Sequence, residues 1–222
     1  MPVAFVDLAQ ICAPLIAVET LAGVVSLESR FEPFAIRVNS GAPLSQQPTT
    51  RVEAIEIATS LAAGQQDIQL GLGGIGMAEL RTLKLSISEA FDPCLNLHGT
   101  ATLLDGYYRL AVKAGADPKR AEQLMLQSYH GRDPSVGAMV KYDAQVRREI
   151  KRLGQTLATL TIGDGGQGRR VTKQNAPDVD VEAAGHDQPV KQSAATPSWD
   201  VFSSRRRSSV LVFQNSQLEQ SK

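Results

Sequence analysis

Val18-Glu-Thr-Leu-Ala-Gly-Val-Val-Ser-Leu-Glu-Ser-Arg-Phe-Glu-Pro33 is the stretch on which the reading of this chain turns. Leu21, Val24, Val25 and Leu27 recur at helical spacing and predict a helix over Val18 to Ser29, stopped before Pro33. A proline disfavours helical backbone in the residue before it, so the segment cannot simply run on. The helix closes on Glu28, a carboxylate at the end of an otherwise apolar run. Taken alone, such a Glu is usually a solvated surface group.

Outward from this helix the signals remain helical. Val3 to Gln10 fits a short amphipathic helix. Thr50-Arg-Val-Glu53 is a capping box opening a helix to Ala63, with Gly64 as its stop. Asn96 is an N-cap for a helix over Leu97 to Ala114. Asp117-Pro118 and Asp133-Pro134 each offer an N-cap followed by proline at the first helical position. A last helix runs from about Gly137 to Leu153, with Arg147, Arg148, Lys151 and Arg152 where the helix dipole favours cations. Phe34 to Gln47 and Gln66 to Gly76 are extended and Gly-rich, suited to a small hairpin or a cleft-lining loop. The expected fold is mainly α, a compact domain over residues 1–153.

Beyond it, Gly163-Asp-Gly-Gly-Gln-Gly168 and a Pro-, Ser- and Gln-rich stretch cannot bury enough apolar surface to offset their ordering entropy. Residues 154–222 therefore read as a disordered tail. Within it, the island 198–213 holds the only Trp, Trp199, and suits a segment that orders on a partner or a chance apolar cluster. The 222 residues carry 23 Lys+Arg and 23 Asp+Glu, a balance that argues against nucleic acid as the partner of the whole chain. No apolar run approaches the roughly eighteen residues of a spanning helix. Two Cys exclude a disulfide-dense scaffold and a four-thiolate zinc site, and no His-x-x-x-His or carboxylate cluster suggests another metal. No cofactor is expected. His98, His130 and His186 sit in no Ser-His-Asp pattern.

The run Ala22 to Ile36, with its Glu28-Ser29 pair followed by Pro33 and Ala35, resembles the first motif of lytic transglycosylases, enzymes of the lysozyme-like superfamily. Leu70-Gly-Leu-Gly-Gly-Ile75 resembles their Gly-rich second motif. Tyr129-His-Gly131, with Tyr142 downstream, resembles their third. Leu8-Ala-Gln-Ile-Cys-Ala-Pro14 and Phe91-Asp-Pro-Cys-Leu-Asn-Leu97 narrow the resemblance to the VirB-type enzymes of type IV secretion systems. The resemblance implies a lysozyme-like α domain with a small β element. It also implies cleavage of the β-1,4 bond between N-acetylmuramic acid and N-acetylglucosamine in peptidoglycan, with a 1,6-anhydro product.

One carboxyl suffices for that reaction. It protonates the departing oxygen and then accepts the proton of the substrate's own C6 hydroxyl, whereas hydrolysis usually needs a second carboxylate. Glu28 matches the catalytic position, and its carboxyl has to be partly desolvated to act as an acid near neutral pH. Glu32 and Asp67 are the nearest further carboxylates and match no catalytic position. By the same resemblance Ser29, Gly71, Leu72, Gly73, Gly74, Tyr129 and Tyr142 would contact the glycan or support the acid. Tyr129 and Tyr142 also suit plain core packing, as does Phe31. The chain departs from the pattern at Gly74, where a substrate-binding Gln is usual, at Gly76, and at His130, where Asn is usual.

The resemblance implies the periplasm, where disulfides persist, and so a Cys12–Cys94 bridge; two buried free thiols are the alternative. Met1 to Ala22 contains no Lys or Arg, so the charged region of a signal peptide is not evident there. The implied partners are peptidoglycan glycan strands and, through the tail, secretion-channel components. The alternative is a weakly active or inactive glycan-binding scaffold, which Gly74 favours and Glu28 opposes.

Overall fold

The computed structural model describes residues 2–132 and 141–163. The chain begins with strand β1 (Val3–Ala4), helix α1 (Phe5–Cys12) and helix α2 (Val18–Glu28). Strand β2 (Ile36–Val38), helix α3 (Arg51–Ala63), and strands β3 (Ile68–Leu70) and β4 (Ile75–Gly76) follow. Helices α4 (Met77–Leu83), α5 (Ile87–Ala90), α6 (Pro93–Lys113), α7 (Pro118–Gly131) and α8 (Tyr142–Leu153) complete the helical part. A 3-10 turn (Leu157–Thr159) then leads into β5 (Thr161–Ile162). The fold is mainly α with short strands, as the sequence implies. Among the described residues no helix is long and apolar enough to cross a membrane.

Two apolar clusters organise the described chain. The first gathers Phe5, Leu21, Val24, Val25, Leu97, Leu104, Tyr142 and Val146 from α1, α2, α6 and α8. The second lies under the sheet, where Ile36, Ile68, Leu70 and Ile75 meet Ala54, Ala58, Leu80 and Phe91. We call these the helical half and the sheet half. Leu103 of α6 packs against both. In the helical half α2 lies on α8 so closely that a Cβ on Gly23 would meet Val146 Cγ1 at 2.9 Å. Ser26 donates to Glu149 Oε2 at 2.6 Å across the same contact.

The sheet explains how a helical protein presents polar groups in a row. β3 runs antiparallel to β2 and to β4, pairing Arg37 with Gln69 and Gln69 with Gly76. Directly opposed residues share a face, so Arg37, Gln69 and Gly76 line one side while Ile36, Leu70 and Ile75 fill the core on the other. At the edge of β2, Gln47 pairs with both the N–H and the C=O of Ile36 at 2.9 Å, standing in for a further strand.

Several sequence expectations shift. The first helix starts at Phe5 and ends at Cys12, two residues later than Val3 to Gln10. Thr50 accepts from the Glu53 amide, but the Glu53 carboxylate accepts from Thr49 N at 2.8 Å, one residue before the expected reciprocal amide. Asn96 does not cap the long helix. Asp92 does, with Pro93 at the first position, and the helix starts a turn earlier than expected. Asp117 caps α7 as expected, while Asp133-Pro134 lies outside the described residues. The last helix is described from Tyr142 onward. The expected domain edge at residue 153 falls short of the packed chain. Leu160 accepts from Phe5 N, and β5 pairs with β1, placing Ile162 in the core. The expected tail from 164 onward, with its island at 198–213, lies outside the described residues.

Candidate active site

Glu28 is the last residue of α2, and its side chain is only 5% exposed. Tyr142 donates to its Oε1 at 2.6 Å, and Arg37 donates to its Oε2 at 2.9 Å. Arg37 also donates to the Leu27 and Glu28 carbonyls at 3.1 and 2.8 Å, and to Gln69 Oε1 at 3.2 Å. One guanidinium thus serves the unpaired carbonyls at the end of α2 and the carboxyl beyond them. Two left-handed residues, Arg30 (φ 55°) and Phe31 (φ 67°), turn the chain away immediately afterwards. Phe31 packs edge-on against Phe5 at 5.1 Å and is core.

Glu28 faces two spaces. On one side is a groove of about 600 Å³ lined by Arg30, Glu32, Arg37, Pro43 and Gln47, a size suited to a ligand of several rings. On the other is a pocket of about 20 Å³, with room for a water-sized group, lined by Gln69, Gly76, Glu79, Tyr107, His130 and Arg132. Gly74 separates Glu28 from the strand edge. A Cβ there would come within 2.9 Å of Glu28 Oε2, and Gly74 has φ +64°, so a side chain at this position is doubly disfavoured.

The two tyrosines divide the work differently from expectation. Tyr142, buried in the core, is the one that contacts Glu28. Tyr129 gives its hydroxyl to the Gly73 carbonyl at 2.6 Å rather than to the acid, fixing the turn that carries Gly74. Burial, and secondarily the nearby Glu28 carboxyl, pushes both phenols well above their ordinary range. His130 stacks on Tyr142 with ring centroids 4.5 Å apart, covering it from the pocket side. Ser29 is buried and donates to the Val25 carbonyl, although it also borders the wide groove. Gly71, Leu72 and Gly73 lie behind the site and border neither space, and Leu72 is part of the apolar core.

The residue that holds this turn in place is Asn96. Its Oδ1 accepts from Gly73 N at 2.8 Å, while Nδ2 donates to Leu70 O at 3.1 Å and to Ala90 O at 2.8 Å. Read as a cap, Asn96 is a helix-end residue; in the structure it is a bolt between α6 and the Gly-rich turn. Arg37, Gln69, Glu79 and Arg132 were likewise missed. Alternation in Ile36-Arg-Val38 and Ile68-Gln-Leu70 marks Arg37 and Gln69 as outward, but only strand register brings them together at Glu28.

Cys12 and Cys94 are joined, with their Cα atoms 5.2 Å apart, tying α1 to the first turn of α6. Among the described residues no group of three or more His, Cys, Asp or Glu is placed to hold a metal ion.

A buried carboxyl at a helix end, gripped by a phenol and a guanidinium and bordered by a ligand-sized groove, defines a candidate acid–base site. No family model and no solved structure matches the chain. Among curated proteins, it is 40% identical over 110 residues to the type IV secretion system protein virB1 of Brucella suis biovar 1 (strain 1330). That match takes in 50% of this chain and 46% of the relative. It is 32% identical over 124 residues to protein virB1 of Agrobacterium fabrum (strain C58), 55% of this chain and 48% of that protein. The chain is thus similar to VirB1 proteins, and it spans about half the length of the curated relatives it matches.

Proposed function

We infer that this chain is a peptidoglycan lytic transglycosylase that opens the cell wall for a type IV secretion system. The single observation that carries the reading is Glu28, buried and bonded at both oxygens yet bordering a groove of about 600 Å³. The relatives' names supply the secretion context.

In this reading the glycan lies in the wide groove with the scissile bond over Glu28. Oε1 accepts from the buried Tyr142 phenol and Oε2 from the more exposed Arg37, and we assign the proton exchange to Oε2, the oxygen on the less enclosed partner. Protonated Oε2 gives its hydrogen to the bridging oxygen and the C1–O bond breaks. The resulting carboxylate takes the proton of the C6 hydroxyl as O6 closes on C1, leaving the 1,6-anhydro ring with no water consumed. Tyr142 and Arg37 fix the carboxyl plane, and Arg37 moves with the carboxyl's charge because it touches Oε2. Such a substrate places the protein in the periplasm, with glycan strands and secretion-channel components as its partners. A second reading, a glycan-binding scaffold, is favoured by Gly74, which offers a sugar no side-chain contact.

Digestion of purified peptidoglycan tests the choice. The native chain is expected to release anhydro-muropeptides, and Glu28→Gln to lower the rate about a thousandfold. Reducing-end products from the native chain would point to hydrolysis, and absence of products from both would favour the scaffold.

A further inference from the structure

Arg132 stands at the end of α7 with φ +55°, in the left-handed region where a non-glycine residue is held at a cost of about 1 kcal/mol or more. That backbone aims its side chain at the narrow pocket beside Glu28. Nη2 donates to the Gly74 carbonyl at 3.2 Å, and Nη1 lies 3.5 Å from Glu79 Oε2. That oxygen is fully covered and has no hydrogen-bond partner among the described residues, so Arg132 is its neutralising charge. The guanidinium occupies the place where a side chain at residue 76 would begin. A Cβ on Gly76 would run into Nη1 and Glu79 Oε2, and would stand 2.8 Å from Cζ. A side chain at 76 and a guanidinium from 132 are therefore mutually exclusive, and this chain has taken the second option.

A guanidinium only donates hydrogen bonds, and it has five N–H groups. A free arginine would select anions, but a buried carboxylate 3.5 Å away makes the Arg132–Glu79 pair neutral overall. Such a pair suits an uncharged acceptor, the hydroxyl or acetamido oxygen of a sugar, better than the carboxylate of a peptide. The pocket is lined by both Glu28 and the exposed His130, so a sugar resting on Glu28 can send a substituent toward it.

We propose that Arg132 is a substrate-contacting residue that donates to an uncharged oxygen of the sugar seated on Glu28, with Glu79 as its counter-ion and Gly76 as the opening that admits it. The proposal rests on the glycan-cleaving reading above and adds to it the residue and the chemical class of the contact.

The test uses the full chain and reads binding as well as turnover. In a Glu28→Gln background, Arg132→Gln is expected to weaken binding of an N-acetylglucosamine hexamer about tenfold. In the otherwise native chain the same change should lower kcat/KM by about tenfold or more, equally on intact peptidoglycan and on glycan stripped of its peptides. Gly76→Asn alone should also lower kcat/KM, because it displaces the guanidinium. Hexamer binding indifferent to Arg132→Gln in a variant that melts like its parent would overturn the proposal alone. So would a loss confined to peptide-bearing substrate. Absence of any glycan binding or cleavage by the native chain would overturn the functional reading and this proposal together.

Discussion

The two halves that meet at Glu28 hold it by different physics. The helical half fixes its position: α2 is locked on α8 through the close contact at Gly23, and α8 delivers the Tyr142 phenol to Oε1 from within the core. The sheet half supplies charge and hydrogen-bonding reach, through the cross-strand row of Arg37, Gln69 and Gly76 and the Arg132–Glu79 pair beside it. Arg37 is 40% exposed, whereas Tyr142 is 2% exposed. Placement therefore comes from dry packing and adjustment from a wetter, more polar wall, so damage to the two should look different.

The largest effect is expected where the halves are bolted together. Asn96→Ala removes the bonds to Gly73 N, Leu70 O and Ala90 O and should cost about 3 kcal/mol or more by chemical denaturation, with loss of the proposed glycan cleavage as the turn at Gly73 loosens. Next, removing the Cys12–Cys94 bridge as a double Ser variant frees a separation of 82 residues in the unfolded chain. It should lower stability by about 2–4 kcal/mol while leaving kcat near its native value, because the bridge belongs to the helical half.

A sharper comparison pits Tyr142→Phe against Arg37→Met. The first removes a buried bond to a carboxyl and should cost about 1–2 kcal/mol of stability and roughly tenfold in kcat. The second removes a guanidinium that is 40% exposed, so water can replace part of its bonding to Glu28 and the helix-end carbonyls. It should cost less stability than the first, its effect falling mainly on kcat. Equal stability losses would erase the distinction drawn here.

A last effect is confined to alkaline pH and is absent at neutrality. Tyr129 and Tyr142 titrate higher folded than unfolded, so their contribution is complete below the ordinary phenol value near 10. It declines above that pH, because the unfolded chain loses those protons first. The decline should be about 1.4 kcal/mol per pH unit for each tyrosine. Replacing either by Phe should shallow that slope, as followed by denaturation across the alkaline range.

Much of the helical half was legible because its signals are local. The apolar spacing before Glu28, the cap at Asp117 and the stop at Gly64 each act within a turn or two of chain. The sheet half was less legible because its chemistry depends on register. Ile36-Arg-Val38 announces an alternating strand, yet nothing within it says that Arg37 will face Gln69 and reach Glu28. Asn96 misled for a related reason. An Asn ahead of an apolar run has the look of a cap, but Asp92-Pro93 one turn earlier took that role and freed the amide for long-range bonds. Glycines 74 and 76, which looked like losses of polar contact, turn out to make room for neighbouring side chains.

The clasp of β1 against β5 sets Val3 opposite Ile162, so the first and last described strands lie side by side, roughly 5 Å apart. Two strands far apart in sequence thus close a ring around the two halves, and a cut in an exposed connection such as Gly64–Gln65 would leave that closure in place.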